Sequence, residues 1–200
     1  MTNWFHRCAD SSINRAIQTT RTTRTIVVVA AMLAAAAGLG GCSTAPTAPL
    51  PTVASVDLAR YAGRWYEVTS LPNRFQARCV ADTQAQYRAI GDDIAVTNRC
   101  RRADGGVDAV SGVAKVVAGS ANAKLRVSFF RPFYGDYWVL ALGPDYRWAL
   151  VGEPGRQYGW VLSRTSQMAP ADLEAALSRA ETLGYTRAAF KPTPQTQPLD

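Results

Sequence analysis

The chain has 200 residues, of which 48% are hydrophobic and 18% charged. That is a globular composition, not a disordered, collagenous or fibrous one. The formal charge of +7 argues little about partners: residues 1–41 hold four Arg and one Asp, which is +3, and residues 42–200 carry only +4, scattered along the chain. With no basic run interleaved with aromatics, nucleic acid is not an expected partner.

The chain opens on an address. Arg21 and Arg24 precede an apolar stretch from Ile26 to Leu39. It is short of the ~20 residues that a spanning helix needs and fits the hydrophobic part of a secretory signal. Leu39-Gly40-Gly41-Cys42 follows at once and resembles the lipobox of bacterial lipoprotein precursors. The resemblance implies removal of residues 1–41 and acylation of Cys42, and several acyl chains make a stable membrane anchor. The alternative is an ordinary signal cut that leaves a free thiol. Ser43, where Asp would signal inner-membrane retention, points by analogy to the outer membrane and its periplasmic face. Residues 43–55 hold three prolines and no charge, so 42–55 reads as an acylated N-terminus and a Pro-rich tether. The only histidine, His6, leaves with the leader. Ser-His-Asp and Cys-His catalysis and imidazole zinc sites leave with it, so no catalytic residues, metal or cofactor are expected.

From Val56 short runs rich in Val, Tyr, Trp and Leu alternate with Gly, Asp and Pro clusters about every ten residues, the pattern of an antiparallel barrel or sandwich. The predicted strands are Arg64–Leu71, Val80–Ala89, Ile94–Arg101, Ala109–Val117, Lys124–Phe130, Asp136–Leu142, Trp148–Gly152 and Tyr158–Arg164. Turns fall at Gly91-Asp92-Asp93, Gly105-Gly106, Gly143-Pro144 and Glu153-Pro154-Gly155. A helix follows, with Pro170 in its first turn, Asp172 and Glu174 at its positive end and Gly184 closing it. Leu173, Ala176, Leu177, Ala180 and Leu183 share one face. Tyr185–Phe190 is predicted as a short ninth strand, so the folded domain spans 56–190. The Pro/Gln/Thr-rich residues 191–200 are predicted as a loose tail.

Eight consecutive hairpin-linked strands can close into a barrel without exposed edges. At that size the interior is filled by side chains or holds one small ligand. Tyr137, Trp138, Tyr158 and Trp160 make the late strands aromatic on both faces, which fits a lined apolar cavity better than a filled core.

Gly63-Arg64-Trp65, Pro144-Asp145-Tyr146 and the Arg164 that ends Trp160-Val161-Leu162-Ser163-Arg164 together resemble the three signature motifs of lipocalins. The segment from Ser128 to Leu140 is similar to the central segment of bacterial outer-membrane lipocalins and apolipoprotein D, and the likeness runs from Asp57 to about Phe190. It implies an all-β fold: an eight-stranded antiparallel up-and-down barrel, one C-terminal α-helix packed outside, and an apolar cup for a lipid. It also implies that Trp65 plugs the closed end with Arg164 over its ring, a cation–π contact of about 0.5–2 kcal/mol. Gly63, Trp65, Asp145, Tyr146 and Arg164 mark the fold and not the ligand.

If Cys42 is acylated, Cys79 and Cys100 remain as an even pair in an oxidising compartment, where a disulfide is the default and two buried thiols the alternative. A plain hairpin turning at Gly91-Asp92 would leave the two off register, so a bond requires Cys79 to lie off the regular ladder. Cys79 as a nucleophile lacks a histidine base. Glu67 shares a strand face with Trp65; it could meet a ligand head group or Arg126, or stand at the rim in water.

The function expected is storage or transport of one single-chain lipid, a fatty acid or lysophospholipid, for membrane maintenance, by a non-enzymatic protein held at the outer membrane through its acyl chains. The chosen ligand contacts are Glu67, Tyr87, Phe130, Tyr137, Val139, Tyr158, Trp160 and Leu162. Two other readings stay open: an isomerase or redox enzyme on the same barrel, and a structural envelope lipoprotein with no ligand. The sequence leaves open whether the protein is a monomer or a homodimer.

Overall fold

The computed structural model describes residues 49–197 and 199. The leader, Cys42 and the tether up to residue 48 lie outside the described residues. The remaining tether is not loose. Leu50 is buried, the Val53 amide donates to the Val139 carbonyl at 3.0 Å, and Val56 donates to Ala121 at 3.0 Å.

A single helical turn, α1 (Leu58–Tyr61), is capped by the Asp57 side chain, which accepts from the amides of Ala59 and Arg60. Eight antiparallel strands follow: β1 (Gly63–Ser70), β2 (Cys79–Ile90), β3 (Asp93–Arg102), β4 (Val107–Val116), β5 (Lys124–Phe130), β6 (Phe133–Leu142), β7 (Trp148–Gly152) and β8 (Gly159–Ser163). Each pairs with the next, β8 pairs with β1, and β1 pairs back onto β2 from Gly63↔Tyr87 to Tyr66↔Gln84. The sheet is therefore a closed barrel. Its strands agree with the predicted runs to within a few residues, and the largest difference is that β6 continues through Gly135 back to Phe133.

The helix α2 (Pro170–Thr182) packs outside. Pro170 occupies its first turn, Asp172 pairs with Arg147 at 2.6 Å, and Gly184, at φ +85, lets the chain leave. Two apolar cores result. One fills the barrel and includes Tyr61, Trp65, Tyr87, Val96, Leu125, Val139, Val151 and Leu162. The other lies between α2 and the outer barrel wall and includes Leu50, Leu140, Trp148, Leu150, Val161, Ala176, Ala180 and Phe190.

Two predictions for the C-terminal region are corrected. Tyr185–Phe190 is not a strand. Residues Arg187–Ala189 form a 3₁₀ turn, and β9 is the later pair Lys191–Pro192, which runs antiparallel to the end of β1. Alternation would put residues 185 and 190 on opposite faces of a strand. The turn instead brings both rings into the outer core, 6.0 Å apart.

Nor are residues 191–197 of the tail loose. Pairing between β1 and β2 stops at Tyr66↔Gln84, and the tail bridges the seam beyond. Thr193 donates to Val68, the Asp82 amide donates to Pro194, and the Gln195 amide group donates to the carbonyls of Glu67 and Thr83. Asp82, buried and left-handed at φ 57, accepts from the amides of Thr196 and Gln197 and from Arg101 Nε at 2.6 Å. Buried polar groups need partners, and here a low-hydrophobicity segment supplies them.

Candidate functional site

The base of the barrel is closed by β1 and the segment before it. Trp65 is fully buried and donates from Nε1 to the Tyr61 carbonyl at 2.8 Å. Arg164, just after β8, lies over the indole at 3.8 Å and donates to the carbonyls of Arg64 and Arg60. Gly63 has φ +97, and a Cβ there would stand 3.3 Å from Arg164 Nη1, so the glycine meets two constraints at once. In the turn Pro144–Tyr146, Asp145 meets Arg60 at 3.4 Å, the Tyr146 hydroxyl accepts from the Asp57 amide, and Arg60 lies over the Tyr146 ring at 4.4 Å. Five signature positions thus converge on α1.

Above Trp65, three inward-facing tyrosines meet. Tyr137 joins its hydroxyl to those of Tyr61 at 2.8 Å and Tyr87 at 2.9 Å. Burial raises the pKa of all three, that of Tyr87 to about 12, so they stay protonated at neutral pH.

Higher up, apolar side chains alternate inward. Val127, Phe129 and Trp160 are half-buried against the inner cluster, whereas Leu125 and Val139 below are fully buried. At the open end the β1–β2 connection crosses the rim. Asn73 caps its short 3₁₀ turn, Arg74–Gln76. Gln76 donates to Glu67 at 2.6 Å and accepts from Trp160 Nε1 at 3.0 Å. Tyr158 stacks on Trp160 at 6.2 Å and packs against Phe75 at 5.5 Å.

A family model for the lipocalin-like domain matches residues 56–195, and the closed eight-stranded barrel, the Trp-Arg plug and the outer helix fit it. The chain is a lipocalin. Temperature-induced lipocalin-1 of Arabidopsis thaliana is 37% identical over 155 residues, 74% of this chain and 83% of the relative. The outer membrane lipoprotein Blc of Escherichia coli K12 is 38% identical over 141 residues, 69% of this chain and 78% of the relative. Among solved structures, insecticyanin from the tobacco hornworm Manduca sexta superposes with a TM-score of 0.61 at 20% identity, covering 76% of this chain and 86% of that one, a likeness of fold.

In this lipocalin the residues expected to line the cup fall into four groups. Tyr87, Tyr137, Val139, Trp160 and Leu162 face the interior. Tyr158 stands at the mouth. Phe130 points outward and is 75% exposed; Leu125, Val127 and Phe129 hold the inward places of β5, because alternation puts residue 130 on the other face. Glu67 is buried and meets neither water nor Arg126: Oε1 accepts from Ser70 at 2.9 Å and Thr193 at 2.6 Å, and Oε2 from Gln76. It fastens the rim loop and the tail to β1. Tyr61, Gln76, Phe129 and Thr193 escaped the sequence reading. Only Phe129 carried a usable signal, the strand parity set by Leu125 and Val127.

The pair Cys79–Cys100 is bonded, with Cα atoms 5.5 Å apart. The β2–β3 register slips between Cys79 and Ala81 and again between Ala81 and Gln84, which takes Cys79 off the plain hairpin ladder. A groove of about 770 Å³ lined by Leu173, Leu177, Tyr185 and Phe190 lies outside the barrel, away from the inward-facing aromatics.

Proposed function

We propose that this lipocalin binds one single-chain lipid, a fatty acid or lysophospholipid, inside its barrel and stores or carries it at the bacterial outer membrane. The observation that carries this reading is the band of half-buried apolar side chains, Val127, Phe129 and Trp160, that lies above the aromatic floor inside the closed barrel. Burial of apolar surface, at roughly 25 cal/mol per Å², suffices to hold an acyl chain at micromolar affinity or better. An eight-stranded interior is too narrow for a two-chain phospholipid. Tyr137, Phe129, Trp160 and Leu162 grip the chain, and the head group sits at the mouth, where Tyr158 and the Gln76 loop offer polar atoms. Cys42, acylated, would hold the protein on the periplasmic face; the likeness to the outer membrane lipoprotein Blc supports the outer membrane as its place.

Titration with palmitate or lysophosphatidylcholine should quench tryptophan fluorescence saturably at near one lipid per protein, and a diacyl lipid should bind far more weakly. Trp160→Ala should weaken lipid binding more than it weakens folding. Failure of every single-chain lipid to bind below about 100 μM, roughly −5.5 kcal/mol, overturns the reading. For the anchor, Cys42→Ala should abolish membrane fractionation, and a variant that still sediments with outer membranes would refute acylation there.

A further inference from the structure

We infer that the mouth of the barrel is a membrane-docking surface that stands on an anionic bilayer. Large apolar side chains are exposed at this end on several separate loops. Phe75, in the β1–β2 connection, is 67% exposed, and Phe130 and Phe133, flanking the β5–β6 turn, are 75% and 78% exposed. Val80 and Val107, at the mouth ends of β2 and β4, add to them. In the strand order these two connections lie four strands apart, on opposite sides of the opening. Apolar side chains gathered at one end of a barrel and exposed on both sides of its opening suit a partner broad enough to cover them together.

Charge selects the partner. Arg74, Arg78 and Arg131 are exposed on the same two connections, next to the phenylalanines, and no acid lies in either segment. Arg74 sits over the Phe75 ring at 5.2 Å, and Arg78 reaches Asp108 at only 3.5 Å from a largely exposed position. The other two charged mouth loops bond internally or to the body: in β3–β4 Arg102 pairs with Asp104 and Asp108, and in β7–β8 Glu153 accepts from the amides of Gly155 and Tyr158 while Arg156 donates to the Leu183 carbonyl. Aromatic rings framed by arginines match the boundary between acyl chains and negative head groups. A bilayer also meets both sides of the mouth at once. Docked this way, the cup opens into the lipid and a single chain passes between bilayer and barrel without crossing water. The surface does not depend on which lipid the cup takes.

The test uses the full chain on vesicles of equal phosphatidylglycerol and phosphatidylcholine, some with brominated acyl chains. A bimane label is attached through Phe75→Cys, Phe133→Cys or, at the closed end, Asp92→Cys. Bromine should quench the labels at 75 and 133 and spare the one at 92. Phe130→Ser should reduce the docked-to-undocked ratio read at 133 about fivefold or more, and Arg131→Gln about fivefold, with high salt acting in the same direction. Labels at 75 and 133 left unquenched on protein that still sediments with the vesicles overturn the inference, whatever the acylation of Cys42. Equal quenching at 92 also overturns it. Shielding of the rim labels without lipid, growing with protein concentration, would assign the surface to a second copy of the chain instead. Palmitate titration of the same variants keeps the outcome separate from lipid binding in the cup.

Discussion

The floor and the mouth of the barrel are built from the same residue types and behave in opposite ways. At the floor, aromatic rings stack inward and their polar atoms bond to backbone carbonyls or to one another: Trp65 to Tyr61, Arg164 to Arg60 and Arg64, and Tyr61, Tyr87 and Tyr137 among themselves. At the mouth, aromatic rings are exposed at Phe75, Phe130 and Phe133, and the strand pair β1–β2 parts, to be held by side-chain clasps at Glu67 and Asp82. A floor made of dense apolar contacts fixes the barrel. The mouth is held instead by hydrogen bonds to a rim loop and the tail.

The largest expected effect attacks the floor. Trp65→Ala should cost about 3–5 kcal/mol in denaturant unfolding, as a large core truncation. Arg164→Ala should cost less, and the two losses should fall short of additive because one contact is shared. Additive losses would break the description of the floor as a single unit.

Next comes the mouth. Replacing both Cys79 and Cys100 by Ser removes a cross-link spanning 21 residues and should lower stability by roughly 3 kcal/mol. Hydrogen exchange should quicken in β2 near Cys79 and leave β1 near Trp65 unchanged.

A smaller effect separates the clasp from the disulfide. Burial of Asp82 would raise its pKa, but Arg101 and the amides of Gln197 and Thr196 outweigh that and hold it below the ordinary value near 4. A depressed carboxylate contributes stability above its unfolded value and loses it as pH falls through the folded one. Exchange protection of residues 193–197 should therefore fall as the pH drops below about 4. Asp82→Asn should weaken that protection at neutral pH, cost about 1–3 kcal/mol and abolish the acid dependence.

The smallest effect returns to the floor. Burial pushes Tyr87 up to about 12, so the unfolded chain deprotonates first and stability should fall as pH rises from about 10 towards 12. Tyr87→Phe should cost about 1 kcal/mol at neutral pH and make the alkaline decline shallower. An unchanged slope would mean that the buried hydroxyls do not titrate with unfolding.

The sequence by itself determined the strands, the helix and the floor. Alternating apolar runs must bury one face, Gly63 and Trp65 sit at a fixed spacing, and Arg164 closes the last strand, so local pattern and motif reach the same barrel. Tertiary structure decided what depends on contacts between distant residues. Residues 191–197 have no apolar period, and their order comes from Asp82, Glu67 and Thr83, which lie more than a hundred positions earlier. Glu67 reads as a candidate for a ligand or for water, and the fold gives it Ser70, Gln76 and Thr193. Phe129 was legible, because Leu125 and Val127 set the parity of its strand; that Phe130 on the other face stays exposed, with none of the described residues covering it, was decided by the fold. Periodicity reports which face a chain segment must hide; it does not report which partner arrives to satisfy the polar groups that burial leaves behind.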